Sequence, residues 1–211
     1  DVESLRTMSL DLYRRSQGAA TQKYRTLGTP SNVLALDRLA ALPTRNFQQS
    51  TFEGAEKVSG ERLYERHMGK VIACDGCSIG CDHIYRVNDG PYAGTQSAMD
   101  YESLYALGPL CGVDDPGAVL RASDLCDQYG LDTMSTGVSI AWAMECYERG
   151  LISRDETEGL DLRFGNGEAV VAMVERIGLR QGLGMLLGEG VKRASASLGK
   201  GSDHWAMHAK G

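Results

Sequence analysis

Apolar residues recur along most of this chain at the three-and-four spacing of helices that bury one face. Leu5, Met8 and Leu12 set a first stripe. Val33, Leu36 and Leu39 set a second, which follows the candidate caps Ser31 and Asn32 and ends before Pro43. Within Gly54 to His67, Ser59 opens a charged helix carrying Leu63 and Tyr64. Punctuation is clearest further on, where Asp114 or Asp115 is the cap, Pro116 takes the first helical position and Gly130 is the stop. The next helix is predicted from Ser135 to Arg149, ended by Gly150. Ser153 and Glu156 form a capping box around a short turn, and Asn166 opens a helix through Val170, Val174 and Ile177. A last helix lies near Val191 to Leu198, after a glycine-interrupted apolar run at Leu183 to Leu187.

One stretch breaks the pattern. From Lys70 to Asp100 the chain is rich in Cys, Gly, Asp and Asn without a sustained period, and it reads as a loop built around a site. No alternating strand pattern and no internal repeat stand out. The expected fold class is therefore all-α: an irregular multi-helix domain over 1–211 with a long cysteine-bearing loop.

Composition narrows the function classes. A net charge of -6 and a pI near 5.3 argue against the basic footprint that phosphate binding requires, so no nucleic-acid partner is expected. The longest apolar run, Ser139 to Met144, is far short of the ~20 residues that span a bilayer, so no membrane segment is expected. No signal segment opens the chain, which predicts a cytoplasmic location. A start at Asp1 and an end at Lys210-Gly211 suggest a segment cut from a longer polypeptide.

In such a chain six cysteines point to metal ligands or reduced core residues rather than disulfides. Cys74, Cys77 and Cys81 crowd into eight residues, with Gly76 and Gly80 allowing the loop to wrap one metal centre. The spacing fits ferredoxin-type iron-sulfur ligation. Zinc competes, since His83 would complete a three-cysteine, one-histidine set. Cys126 and Cys146 fall inside helical patterns as core residues, and Cys111 sits in a turn where it could be a ligand. The fourth thiolate is expected from sequence outside this chain. His67, His204 and His208 show no paired spacing and are given no role.

Asp100-Tyr101-Glu102-Ser103-Leu104-Tyr105-Ala106-Leu107-Gly108-Pro109-Leu110-Cys111 and Asp127-Gln128-Tyr129-Gly130-Leu131-Asp132-Thr133 resemble signatures of the aldehyde:ferredoxin oxidoreductase family. Leu42 to Phe47 and Phe164-Gly165-Asn166 are similar to further family segments. The resemblance implies the first helical domain of a tungsten- or molybdenum-dependent enzyme that oxidises aldehydes to carboxylic acids. The pterin-base domain and the last helical domain would lie outside this chain. It further implies a 4Fe-4S cluster held in part by Cys74, Cys77 and Cys81, and a bis-pterin contacted by Asp127, Gly130, Leu131, Asp132 and Thr133. Electrons would pass to ferredoxin or another carrier. The implied partners are the remaining domains and a small aldehyde, and a homo-oligomer is allowed. A related aromatic-thioester reductase and a zinc-stabilised helical interaction module are the alternatives.

On the residues alone, Asp127 reads as a helix-surface carboxylate and Asp132 as an N-cap. Glu102 reads either as a helix-start glutamate favoured by the macrodipole or, by the resemblance, as a buried carboxylate that moves protons at the metal.

Overall fold

The computed structural model describes residues 1–209; Lys210 and Gly211, read as the cut end, lie outside the described residues. Two helices open the chain, α1 (Val2–Ser16) and α2 (Ala19–Leu27), followed by a 3-10 turn over Thr29–Ser31 and the short α3 (Asn32–Arg38). The Leu5, Met8, Leu12 stripe does lie on a helix, yet no residue of α1 is buried. Nothing in the pattern predicted α2. Leu39 falls just past α3 and is exposed, so the second stripe buries only part of its length. Next comes α4 (Gly60–His67), which begins where the Ser59 hydroxyl accepts the Arg62 N–H at 3.1 Å.

The segment expected as a loop contains an antiparallel sheet, and this corrects the sequence reading. Strands β1 (Met68–Ile72), β2 (Asp82–Arg86) and β3 (Gln96–Met99) are ordered β1-β2-β3, with His83 opposite Val71 on one side and Met99 on the other. Each strand has only four or five residues. Their inward positions include His83 and Ser97, polar side chains that hide the apolar alternation from a period-two search. Ser97 is accounted for by a hydrogen bond to the Ser123 hydroxyl at 3.0 Å, which ties the sheet to the helices.

The rest of the chain is helical: α5 (Tyr101–Leu107), α6 (Pro116–Tyr129), α7 (Thr133–Glu148), α8 (Gly167–Leu179), α9 (Leu183–Leu187) and α10 (Val191–Leu198). Caps place their starts. Asp100, Asp115, Asp132 and Asn166 accept the N–H of Ser103, Gly117, Ser135 and Ala169 respectively. The Ser153 and Glu156 box closes as read, with reciprocal bonds of 2.7 and 3.2 Å. At the centre lies α7, apolar on nearly every side, with Ile140, Trp142 and Met144 fully buried. A side chain at Gly137 would come within 2.4 Å of the Ala106 carbonyl oxygen, so α5 and α7 meet almost backbone to backbone. Cys111, Cys126 and Cys146 are all buried in this core. The Cys111 thiol lies against the Ala106 and Gly137 carbonyls.

Candidate cofactor site

Cys74 to Cys81 form the connection between β1 and β2. The Cys77 N–H bonds the Cys74 carbonyl at 2.9 Å, and Gly76 and Gly80 take φ of +71° and +63°, the left-handed backbone that lets the loop turn twice within eight residues. Cys74 and Cys77 are exposed and Cys81 is half-buried. Backbone N–H groups of Gly80 and Ile79 face the Cys77 sulfur and hold its thiol below the usual range, the Ile79 bond measuring 3.4 Å. Such a sulfur is prepared for the thiolate state that metal ligation needs.

Three soft sulfur donors on a glycine-turned loop, one already facing N–H groups, fit an iron-sulfur cluster. The zinc alternative fits less well. Zinc would draw all its sulfurs to about 2.3 Å of one ion, whereas iron corners of a cluster are spread apart. His83 is fully buried on the inner face of the sheet, its Nδ1 at 3.4 Å from the Tyr85 hydroxyl and its Nε2 without a hydrogen-bond partner. Burial holds its pKa down against the pull of the Gly80 carbonyl. Within this chain a fourth thiolate is not at hand, because the other cysteines are core residues. Burial raises all three of their thiols, that of Cys126 to about 12 and that of Cys146 to about 11.

The second motif is the turn between α6 and α7. Asp127 occupies the last turn of α6, Gly130 ends that helix at φ +66°, and the Leu131 N–H closes on the Cys126 carbonyl at 2.8 Å. Asp132 then caps α7, one carboxylate oxygen accepting the Ser135 N–H at 2.6 Å. The Thr133 and Ser103 hydroxyls lie 3.0 Å apart, joining the starts of α7 and α5. Burial, and then the neighbouring charges of Asp124, Asp100 and Asp82, push the Asp127 carboxyl above its ordinary range. Asp82, Asp100, Asp127 and Asp132 thus face one space, whereas Asp124 is paired with Arg121 at 2.6 Å.

That space joins the two motifs. An open pocket of ≈ 440 Å³ is lined by Cys81 from the cysteine loop and by Asp127, Leu131, Asp132 and Thr133 from the helix turn. Carboxylates and hydroxyls on its wall supply acceptors suited to the amino and ring N–H groups of a pterin. Gly130 lies in the same turn. Glu102 is exposed on the first turn of α5, the position of a helix-start glutamate. Tyr101 and Tyr105 stack there at 5.2 Å. Burial first, then the other tyrosine and Glu102, raises the Tyr101 phenol to about 12.

Two groups of pocket residues were given no role from the sequence, although Asp100 and Ser103 lie within one of the family-like segments. Asp82, Asp100 and Ser103 complete the pocket wall, and Asp100 was visible as a residue three before a helical N–H. Thr29 lines the pocket too, and its hydroxyl accepts the Tyr101 N–H at 2.9 Å. The only signal for it was Gly28-Thr29-Pro30, which marks a helix end and nothing more.

Residues 8–211 match the family model described as aldehyde ferredoxin oxidoreductase, domains 2 & 3. A tungsten-containing aldehyde ferredoxin oxidoreductase of Thermococcus kodakarensis is 38% identical over 86% of this chain and 29% of its own length. A Pyrococcus furiosus protein named as the aliphatic sulfonate oxidoreductase, WOR-like subunit is 29% identical over 100% of the chain and 34% of its own length. The chain thus spans about a third or less of the relatives it matches. In fold it is similar to the active-site complex BamBC of benzoyl coenzyme A reductase, with a TM-score of 0.65 at 22% identity over 85% of this chain and 27% of that one.

Proposed function

The chain belongs to the aldehyde ferredoxin oxidoreductase family, and from that membership we propose that it is the cofactor-facing helical part of a longer enzyme that oxidises aldehydes to carboxylic acids. The observation that carries the reading is the single pocket shared by Cys81 and the Asp127 to Thr133 turn. Two redox groups facing one space suit electrons that arrive as a pair at one and leave singly through the other. A tungsten or molybdenum bis-pterin would supply the two-electron chemistry and a 4Fe-4S cluster the single-electron exit to ferredoxin or a similar carrier.

This chain's residues would hold and orient those groups. Cys74, Cys77 and Cys81 would ligate three corners of the cluster, with the fourth ligand from another part of the enzyme. Asp127 and Asp132 would accept pterin N–H bonds, while the Gly130 and Leu131 backbone and the Thr133 hydroxyl complete the contact. Glu102, exposed on this chain, would be covered in the assembled enzyme and hold the proton released as the aldehyde is oxidised. Reduced thiols suit a cytoplasmic location. No described helix is long and apolar enough to cross a membrane.

Iron, acid-labile sulfide, tungsten and pterin assays on the full-length enzyme, together with aldehyde-dependent reduction of a ferredoxin, test the proposal. Stoichiometric zinc in a colourless protein would sink it. The relative named for aliphatic sulfonates favours one further substrate class, so sulfonates belong in the same assay. The thioester-reductase alternative has only a likeness of fold behind it.

A further inference from the structure

The cysteine loop is buttressed from a segment that carries no motif. Gly28 ends α2 with φ +66°, and its N–H bonds the Tyr24 carbonyl at 2.9 Å. An added Cβ at this position would lie 2.9 Å from the Cys81 carbonyl oxygen and 3.5 Å from the His83 ring. The backbone of the third cysteine therefore rests against the open side of this glycine. The seat itself is fixed from both sides: the Tyr85 hydroxyl donates to the Leu27 carbonyl at 3.3 Å, and the Ser31 hydroxyl donates to the Gly28 carbonyl at 2.7 Å. Tyr85 and His83 project from the same face of β2, directly after Cys81, so the strand that carries the cysteine also carries the groups that grip the seat. The neighbouring Thr29 faces the shared pocket and fixes the start of α5 through the Tyr101 N–H.

We infer that Gly28 is a positioning residue for the third cluster ligand: its bare α-carbon lets the Cys81 backbone approach the end of α2 and so sets where the Cys81 sulfur stands. No other residue meets both demands, since a side chain would be strained by the left-handed backbone and would collide with a carbonyl that cannot swing aside. Cys74 and Cys77 have no glycine seat of this kind, and the tie nearest to Cys77 is made by Ser78 to Ser16 and Gln17. Gly76, between them, has no atom within 4 Å of its missing side chain. Of the three cysteines, Cys81 is the one whose own backbone rests on another element of the fold, whereas the Cys77 sulfur is met only from within the loop, by the Ile79 N–H. It is also the one that lines the pocket, where an error in position would be felt by both redox groups.

This inference rests on the cluster proposed above, and the test keeps the two apart. In the full-length enzyme, purified without oxygen, Gly28→Ala is compared with Gly90→Ala, whose glycine has φ +74° and open space where the side chain would go. Gly28→Ala should release cluster iron to a chelator at least about 10-fold faster, the scale seen when a supporting group behind a metal ligand is lost. The electron paramagnetic resonance spectrum of its reduced cluster should shift, while Gly90→Ala keeps the parent's spectrum and rate. Equal behaviour of the two would reduce the effect to backbone strain and overturn the inference. Should Gly28→Ala not accumulate as folded protein, Tyr85→Phe keeps the ring and removes the hydroxyl that bonds the Leu27 carbonyl. The hydroxyl lost there also meets His83 Nδ1 at 3.4 Å, on the strand that carries Cys81, so both ties of the seat are cut together. The variant should shift the spectrum in the same sense with tungsten content unchanged, and an unaltered spectrum and release rate would overturn the inference. A parent enzyme lacking iron and acid-labile sulfide would instead remove the proposed function itself.

Discussion

The two halves of the pocket are built on opposite principles. The Asp127 to Thr133 turn lies between two long helices with buried faces, ended by a left-handed glycine and restarted by an aspartate cap, so its carboxylates stand where helix geometry puts them. The cysteine loop has two exposed cysteines and one half-buried, little apolar burial and few outside ties. The Ser16 hydroxyl meets the Ser78 hydroxyl at 2.6 Å, the Gln17 amide bonds the Ser78 carbonyl at 2.7 Å, and Gly28 lies against Cys81. One half is ordered by folding and offers preformed acceptors. The other half would take part of its order from the cluster proposed for it, as metal-ligand loops commonly do. Perturbing each half should therefore damage different things.

The largest effect belongs to the loop. Cys74→Ser, Cys77→Ser or Cys81→Ser in the full-length enzyme should destroy or convert the cluster and abolish carrier reduction, because a serine oxygen is a poor ligand for iron. Iron and sulfide content equal to the parent in all three variants would contradict the assignment. Cys126→Ala and Cys146→Ala, both in the helical core, should keep the iron and lose only packing stability. Next in size is Glu102→Gln, which should lower kcat by about 10²–10⁴-fold with metal and iron retained if the carboxylate moves the proton. A glutamate serving only the dipole of α5 would leave kcat near normal and cost a few tenths of a kcal/mol. Its exposure on this chain makes that comparison the sharper one.

Smaller still is the effect of breaking the ordered half. Asp132→Ala removes both an acceptor and a cap, and should cost roughly 1 kcal/mol of stability as well as bound pterin. Asp132→Asn retains a cap of similar quality, so melts should recover while pterin content stays low. Recovery of both would make Asp132 purely a capping residue.

Legibility in the sequence followed the same division. Helices with caps, such as α6 behind Asp115-Pro116 and α8 behind Asn166, announce themselves because the cap chemistry is local. The three cysteines were equally plain as a candidate, being clustered within eight residues. What stayed hidden depends on the partner across space. The strands β1 to β3 are short, and His83 and Ser97 are buried by their neighbours rather than by their own polarity. Helix α1 misleads in the other direction, with an apolar stripe that this chain leaves exposed. Gly28 and Thr29 gain meaning only when the fold brings them to Cys81 and Tyr101. Of the two readings of Glu102, the helix-start one matches its place on this chain, where the start of α5 turns Leu104 inward and Glu102 outward.

The smallest effect distinguishes a folded acceptor from a merely tolerated charge. Asp127 has its carboxyl pushed up by burial and by the like charges of Asp124, Asp100 and Asp82. A carboxyl raised in the folded state binds its proton more tightly there than in the unfolded chain. Its contribution to stability is therefore fully present below the ordinary carboxylate range and is lost as pH rises through the raised value. Asp127→Asn should accordingly raise the melting temperature of cofactor-free protein slightly at neutral pH, and the gain should vanish at acid pH where the native carboxyl is protonated. In the loaded enzyme the sign should reverse, because pterin N–H groups would satisfy the charge that the empty pocket strains, and the asparagine variant should then hold less pterin. Melts across pH, with and without cofactor, read both signs. A gain that persists after loading would show that the carboxylate meets no donor there, and that the ordered half of the pocket holds its ligand without Asp127.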